Sequence, residues 1–125
     1  MIKVMFSWRD HPDLSADECE RRYRAVHMPL AQDAFRGVEG FKLLKYNRVR
    51  KATVNDFNRR EPRIVEPDID AWVELYFESE ELLQKAFSRP HLQELFDDHP
   101  NFMDCSTEAN IHVYWVDEDV ILAGP

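Results

Sequence analysis

The chain has 125 residues, of which 44% are hydrophobic, and carries a formal net charge of -8 from 24 acidic and 16 basic residues. This length and apolar content suit one domain over residues 1–125 with a single core. A negative surface repels polyanions, so we do not expect a nucleic-acid partner. The chain lacks a run of about 18 apolar residues and its first ten residues become charged too early for a secretion signal, so we expect a soluble, cytoplasmic protein without membrane contact.

The first predicted element is a half-buried strand over residues 2–8, because apolar and other side chains alternate along it. The apolar row is Ile2, Val4, Phe6 and Trp8. A helix is predicted to follow, since Ser15 and Glu18, three residues later, are typical of a capping box. The chain therefore begins with a strand and a helix.

This helix carries a histidine on its apolar face. The residues that recur at three- and four-residue steps and share that face are Cys19, Tyr23, Val26, His27, Leu30 and Ala34. Pro29 cannot donate a hydrogen bond to the carbonyl of Ala25, and its ring crowds that carbonyl. We therefore expect the helix to kink or restart near Met28 and to widen the space beside His27.

A second strand is predicted over residues 41–49, after two glycines that end the helix. One face of this strand would hold Phe41, Leu43 and Val49, and the other would hold Leu44 and Tyr46. The next segment, residues 50–67, is rich in arginine, long for a connection, and contains two prolines. A solvated loop is the favoured interpretation, and a lid, an interface arm or an anion site are the alternatives.

The second half of the chain repeats the order of the first. A third strand is predicted within residues 70–79, and Ser79 would cap the helix that follows. A short, broken helix is expected between Pro90 and Pro100. Its inward residues would be Leu92, Leu95, Phe96 and Phe102. With a fourth strand over residues 110–116, the order βαββαβ predicts an α+β, ferredoxin-like sandwich with a four-stranded antiparallel sheet.

The sheet face that the helices leave uncovered is predicted to be too aromatic for solvent. Its expected members are Met5, Ser7, Arg9, Leu44, Tyr46, Arg48, Trp72, Glu74, Tyr76, His112, Tyr114 and Val116. A soluble monomer rarely exposes an apolar face of this size, and the same face of a second copy would cover it. We therefore expect a symmetric homodimer.

Metal ions and nucleotide cofactors have little support in the sequence. His91, His99 and His112 lack the close spacing of metal ligands, and the three glycines form no phosphate-binding loop. Cys19 and Cys105 lie far apart without a CxxC spacing, so both are expected to be reduced and structural. We expect no metal and no cofactor.

Four motifs, in order along nearly the whole chain, resemble the EthD domain family of the dimeric α/β-barrel proteins. They are the turn and helix start in SWRDHPDLSADE, the HxPL motif from His27 to Leu30, and the late residues Asp98, Phe102 and Asp104. Two features depart from the family pattern. Cys19 stands where an aromatic residue is usual, and the basic segment 50–67 is longer than typical.

The resemblance implies a ferredoxin-like fold whose sheets pair across a homodimer into a barrel, with a pocket between sheet and helices. Similar proteins include small cofactor-free isomerases, decarboxylases, dehydratases, cyclases and oxygenases that act on aromatic, polyketide or lactone substrates. Others accompany a cytochrome-type ether degradation system without a settled role. The resemblance thus favours an enzyme without selecting one reaction.

His27 is the candidate catalytic residue. A histidine beside a helix break on an inward face can point into a cavity, and its ordinary pKa of about 6.5 suits a general base or acid. The alternative is a structural histidine that is hydrogen-bonded to a backbone carbonyl. Asp98 could hold the tautomer of this imidazole, or it could cap a turn.

Four aromatic residues are candidate substrate contacts, because planar molecules gain burial and stacking from aromatic walls. They are Trp8, Tyr46, Trp72 and Phe102, and each could equally belong to the ordinary core. The leading hypothesis is a cofactor-independent isomerase, dehydratase or decarboxylase in which His27 moves a proton on a small aromatic or cyclic substrate. The alternatives are a cofactor-free oxygenase and a non-catalytic, dimeric binding or accessory protein of a degradation pathway.

Overall fold

The computed structural model describes residues 1–54 and 61–125. Its strands are β1 (Ile2–Trp8), β2 (Phe41–Arg48), β3 (Ala52–Val54), β4 (Arg63–Val65), β5 (Ala71–Phe77) and β6 (Ile111–Val116). Its α-helices are α1 (Ala16–Arg22), α2 (Met28–Phe35), α3 (Glu80–Phe87) and α4 (Pro90–Asp98). Within these described residues, no helix has the length and the apolar character needed to cross a membrane.

The main sheet has the strand order β2-β5-β1-β6, and all of its neighbouring strands are antiparallel. Cross-strand partners share a face of a sheet, so the register shows which side chains lie together. In β1, Val4 is paired with Leu75 and Phe6 with Val73, and this row faces the helices. The predicted ferredoxin-like α+β fold is confirmed.

A bulge at the start of β2 changes which of its side chains face the helices. The register shifts between Phe41 and Leu43, so that Leu44 is opposite Leu75 and Tyr46 is opposite Val73. An extra residue reverses the alternation of a strand beyond the bulge. The assignment of Leu44, Tyr46 and Arg48 to the uncovered face is therefore wrong. That face instead receives Leu43, Lys45 and Asn47.

The first helical region begins as the sequence predicts. The Ser15 side chain accepts a hydrogen bond from the Glu18 backbone N–H, and the Glu18 side chain reaches back to Ser15. A π-helical turn, Tyr23–His27, then separates α1 from α2, and the N–H of Met28 donates to the carbonyl of Tyr23. The expected restart at Met28 is thus present, because a wider turn accommodates the proline that follows it.

The segment predicted as a loop over residues 50–67 contains two short paired strands. Ala52 is opposite Val65 and Val54 is opposite Arg63 in an antiparallel ribbon of β3 and β4. The sequence did not indicate this ribbon, because three-residue strands are too short to show an alternating pattern. Residues 55–60, between β3 and β4 in the sequence, lie outside the described residues. For Arg59 and Arg60, the solvated loop therefore stays a prediction.

The core has two parts between the helices and the sheet. One part contains Val4, Ala34, Phe35, Leu75, Phe77, Leu83, Leu92 and Leu95. The other contains Trp8, Cys19, Tyr23, Ala71, Phe102 and Met103. Phe96, expected to face inward, is 43% exposed. Because α4 runs unbroken from Pro90 to Asp98, its buried stripe is Leu92, Leu95 and Asp98, and Phe96 falls beside that stripe.

Candidate active site

His27 lies at the end of the π-helical turn and forms a pair with Asp98. Its side chain is buried, at 7% exposure, and its Nδ1 atom lies 3.1 Å from the Oδ2 atom of Asp98. Asp98 is the last residue of α4, and α4 packs against α2, which begins directly after His27. Packing between these helices therefore brings together two residues that are 71 positions apart.

Asp98 is a buried carboxylate that three side chains hold in place. The Nη2 atom of Arg22 donates to its Oδ1 atom at 2.6 Å, and the Nδ2 atom of Asn101 donates to the same oxygen at 3.0 Å. The Oδ2 atom is left for His27. A carboxylate held at both oxygens cannot rotate without losing hydrogen bonds, so it fixes the orientation of the imidazole.

Burial and hydrogen bonding act in opposite directions on the pKa values of this pair. Burial lowers the pKa of His27 below its ordinary value, and this effect outweighs the attraction of Asp98. Burial also acts to raise the pKa of Asp98, but the hydrogen bonds from Arg22, Asn101 and His27 outweigh it and hold that pKa below its usual range. Near neutral pH, the carboxylate is ionised and the imidazole is neutral.

The tautomer of His27 follows from these charges. An ionised carboxylate can only accept hydrogen bonds. The Nδ1 atom of His27 therefore carries the proton and donates a hydrogen bond to Asp98. The Nε2 atom then carries the lone pair and is the proton acceptor of the ring. This arrangement is that of a general base with a carboxylate that orients it.

A cavity of about 250 Å³ lies between the sheet and the helices, and the ring of His27 is part of its wall. The lining is mostly apolar and includes Val4, Phe6, Trp8, Val73, Leu75 and Leu92. Among the described lining residues, those with ionisable side chains are Tyr23, His27 and His99. The volume is at the lower end for ligand sites, so the cavity suits a compact cyclic molecule.

Three of the four predicted aromatic contacts pack on Tyr23 or on His27, but only one of them lines the cavity. Trp8 is part of the wall and stacks on Tyr23, with 5.6 Å between ring centroids. Tyr46 stacks on the same tyrosine at 4.1 Å and supports it from behind. Phe102 packs against the ring of His27 at 4.8 Å, at an interplanar angle of 62°. Tyr46 and Phe102 lie behind the cavity wall, and a contact of either residue with a substrate stays a prediction.

Trp72 lies on the opposite face of the sheet and does not line this cavity, contrary to expectation. Its neighbour Val73 lines the cavity, and successive side chains of a strand point to opposite faces. The register places Trp72 opposite Ser7 and Asn47, in the row that the helices leave uncovered. The alternation in the sequence separates the two rows of β5 but does not tell which row the helices cover.

His99 is a second imidazole in the cavity, and the sequence did not single it out for acid–base chemistry. Its ring centroid lies 5.2 Å from that of His27 and 5.3 Å from that of Phe6. Burial, together with the nearby His27, lowers the pKa of His99 to about 4, although Asp98 opposes the shift. His99 is therefore neutral at neutral pH. Its one signal in the sequence was its position directly after Asp98.

Metal ligation finds no ready site in the part of the chain that the structure describes. No group of three or more histidine, cysteine, aspartate or glutamate side chains there could hold a metal ion. At the candidate site itself, both oxygens of Asp98 are already engaged by other side chains. What the geometry offers directly is proton transfer by the Nε2 atom of His27.

The fold and the site together define a class: a small ferredoxin-like α+β protein with a histidine-lined cavity between its sheet and its helices. The sequence matches the family model of the EthD domain over residues 11–106. The chain belongs to the EthD domain family, as its motifs predicted. A comparison with curated proteins finds no match.

Solved structures share this fold at low sequence identity. An EthD family protein from Bacillus halodurans is 16% identical, with a TM-score of 0.62 over 95% of this chain and 100% of that one. An EthD-like protein from Ralstonia eutropha is 18% identical, with a TM-score of 0.56 over 97% and 92% of the two chains. A dimeric ferredoxin-like protein of unknown function from Thermobifida fusca is 9% identical, with a TM-score of 0.59 over 92% and 88%. At these identities, the likeness concerns the fold.

Proposed function

We propose that this protein is a cofactor-independent enzyme that uses His27 to move a proton on a small aromatic or cyclic substrate. The observation that carries the proposal is the buried His27–Asp98 pair at the wall of an apolar cavity. A base needs a pKa below the working pH and a partner that stabilises its protonated form. Burial supplies the first condition and the Asp98 carboxylate supplies the second.

The reaction begins with proton removal. The Nε2 atom of His27 takes the proton from an acidic C–H or O–H group, and the electron pair of the broken bond stays on the substrate as an enolate or phenolate. The imidazolium formed is stabilised by the Asp98 carboxylate 3.1 Å from its Nδ1 atom. Returning the proton to another atom completes an isomerisation, and returning it to a departing hydroxyl completes a dehydration. Protonating a carbon that has lost CO₂ completes a decarboxylation.

The wall of the cavity supports a planar substrate with few polar groups. Trp8 and Phe6 present aromatic surfaces, and aliphatic side chains of β1 and β5 fill the rest of the sheet side. Flat molecules gain buried area and offset stacking from such a wall. Aromatic, polyketide and lactone rings of one or two cycles fit this description.

The test measures the exchange of the α-protons of 2-tetralone, a compact two-ring ketone, in D₂O by NMR. His27→Gln should slow the protein-catalysed exchange by about 100-fold or more, because general base catalysis typically contributes 10²- to 10⁴-fold. His91→Gln is the matched control, since His91 is exposed and outside the cavity lining, and it should exchange at the wild-type rate.

Two results would overturn the proposal. One is full exchange activity in a folded His27→Gln protein, and the other is wild-type exchange no faster than buffer. If wild type and His27→Gln bind 2-tetralone equally well without exchange, measured by tryptophan fluorescence, the cavity would belong to a binding protein. Trp8 in the wall makes this fluorescence sensitive to a ligand.

A second candidate function is cofactor-free oxygenation. The apolar lining favours it, because a carbanion formed by His27 would be shielded from water and could react with O₂ instead of regaining a proton. Oxygen uptake with an electron-rich phenol of one or two rings would support this candidate. Proton exchange without oxygen uptake would exclude it for that substrate class.

We also propose that the protein is a homodimer that pairs through the uncovered sheet face. That face holds Met5, Trp72 and Tyr114, and the Tyr114 side chain is 51% exposed. A sheet face that leaves aromatic surface such as that of Tyr114 exposed is typical of an interface. The Thermobifida fusca relative in fold is described as dimeric, which supports the same arrangement here.

A further inference from the structure

His99 lines the same cavity as His27, but the proposed proton abstraction by His27 does not assign a role to His99. Its ring lies between Phe6 and Phe96, with centroid distances of 5.3 Å and 5.7 Å. Asp98 holds the ring of His27, whereas the ring of His99 has no hydrogen-bond partner within the described part of the chain. A polar ring in an apolar wall is thus available to a ligand.

Proton abstraction leaves a negative charge on the substrate that a hydrogen-bond donor such as His99 can stabilise. When a carbon next to a carbonyl loses its proton, the negative charge moves to the carbonyl oxygen. In an apolar cavity that charge is costly unless a hydrogen-bond donor faces the oxygen. Among the described lining residues besides His27, the side chains that carry an N–H or O–H are those of Trp8, Tyr23 and His99. The indole N–H of Trp8 is buried and has no hydrogen-bond partner among the described residues.

We propose that His99 is the oxyanion donor of this site, with its imidazole N–H hydrogen-bonded to the substrate carbonyl oxygen while His27 removes the proton from the adjacent carbon. This inference rests on the proposed function and narrows the substrate to an enolisable ketone, ester or lactone in a compact ring. The ring centroids of the two histidines are 5.2 Å apart. A carbonyl group and its neighbouring carbon can contact both rings across that separation at ordinary hydrogen-bond distances of about 3 Å.

The protonation state of His99 agrees with this role. With a pKa lowered to about 4, the ring is neutral at neutral pH and donates a hydrogen bond without transferring a proton. A neutral donor in an apolar wall is matched to an enolate that forms and disappears within each turnover. His27 stays the one group that takes and returns the proton, so the protons balance.

The unpartnered indole N–H of Trp8 is one competing donor, which the variant Trp8→Phe removes. Tyr23 is the other, and it too has to be separated from His99. Its phenol stays protonated at neutral pH, because burial raises its pKa. Its ring also stacks between Trp8 and Tyr46, which holds the phenol in one plane. The 5.2 Å between the rings of Tyr23 and His27 equals the separation of the two histidines, so distance does not decide between them.

The experiment compares His99→Phe, His99→Gln, Tyr23→Phe and Trp8→Phe in the 2-tetralone exchange assay. His99→Phe keeps an aromatic ring and loses the N–H, and the exchange rate should fall by about 100- to 1,000-fold, as for other oxyanion donors. His99→Gln keeps an N–H donor and should retain most of the rate. Tyr23→Phe and Trp8→Phe, which remove the other two donors, should each lose far less of the rate than His99→Phe. If His99→Phe does not fold, His99→Leu takes its place.

A second readout separates a donor from a residue that only shapes the wall. 2-Naphthol matches the substrate in size, and the absorbance of its anion reports how readily it ionises when bound. Wild type and His27→Gln should both lower the pKa of bound 2-naphthol relative to His99→Phe, because the N–H of His99 stabilises the anion. A purely structural role would leave this pKa unchanged.

The outcomes distinguish this inference from the function on which it rests. Exchange at the wild-type rate in His99→Phe, together with an inactive His27→Gln, would overturn the role of His99 and leave His27 as the base. A large loss in Tyr23→Phe alone, or in Trp8→Phe alone, would assign the donor to that residue and also overturn the role of His99. Absence of exchange in wild type would overturn both proposals.

Discussion

At the scale of single residues, burial decides where the protons of the site reside. His27 and His99 are both kept neutral by their surroundings, yet only His27 has a carboxylate that stabilises its protonated form. Asp98 remains ionised because Arg22 and Asn101 hydrogen-bond to it. One imidazole is thereby suited to accept a proton and the other to donate a hydrogen bond.

The lowered pKa of His27 predicts the pH dependence of catalysis. The base must be neutral, so kcat/KM should be constant near neutral pH and should fall as the pH drops through that lowered pKa. The midpoint of the loss should lie below about 6.5, the ordinary value for histidine. The profile of 2-tetralone exchange against pH measures it. A midpoint above the ordinary value would mean that Asp98 dominates over burial.

At the scale of elements, the π-helical turn and the helix ends position the site. Pro29 occupies the first turn of α2, and the wider turn before it carries His27 toward the cavity. π-Helical turns inside helices occur often at functional sites. On the opposite side, Asp98 ends α4 and His99 begins a 3₁₀ turn, so a helix end aims two side chains at the same place.

The capping box at the start of α1 allows a test of stability that is independent of the site. Ser15→Ala removes the side-chain acceptor for the Glu18 N–H and should lower the free energy of unfolding by about 1 kcal/mol. Glu18→Ala should cost less, because its contact with the Ser15 backbone is long, at 3.4 Å. Urea unfolding of both single variants and the double variant gives the coupling, and additive effects would show that the box is not formed.

At the scale of the whole molecule, the two faces of the sheet differ in what covers them. The covered face forms the core and the cavity wall, while the other face carries Trp72, Tyr114 and an ion pair between Lys3 and Glu74. The Nζ atom of Lys3 lies 2.6 Å from the carboxylate of Glu74. A satisfied ion pair can be covered by a second copy without leaving either of its own charges unpaired.

The proposed homodimer predicts the mass of the protein in solution. Wild type should sediment at twice the chain mass of 14.9 kDa. Tyr114→Asp should shift it toward the monomer, because a carboxylate would be buried in the interface. Ile64→Asp, on the β3–β4 ribbon and 73% exposed, should leave the dimer intact. A monomeric wild type would contradict the proposal, and a monomer caused only by Ile64→Asp would move the interface to the ribbon.

Local patterns in the sequence were sufficient for the strands of the main sheet and for the helices, but not for the β3–β4 ribbon. Alternation predicted β1, the Ser15–Glu18 spacing predicted the start of α1, and Pro29 predicted the break beside His27. These features depend on interactions within a few residues, which a sequence displays directly. The order of these elements then indicated the fold, and the motifs indicated the family.

Tertiary structure decided the features that depend on absolute direction or on distant contacts. Alternation separates the two rows of a strand, but only packing of the helices put Trp72 outside and Tyr46 inside. Likewise, Asp98 and His99 reach His27 because α4 packs on α2, and no local pattern encodes that contact. Periodicity relates neighbours within one element, whereas a site is made where separate elements meet.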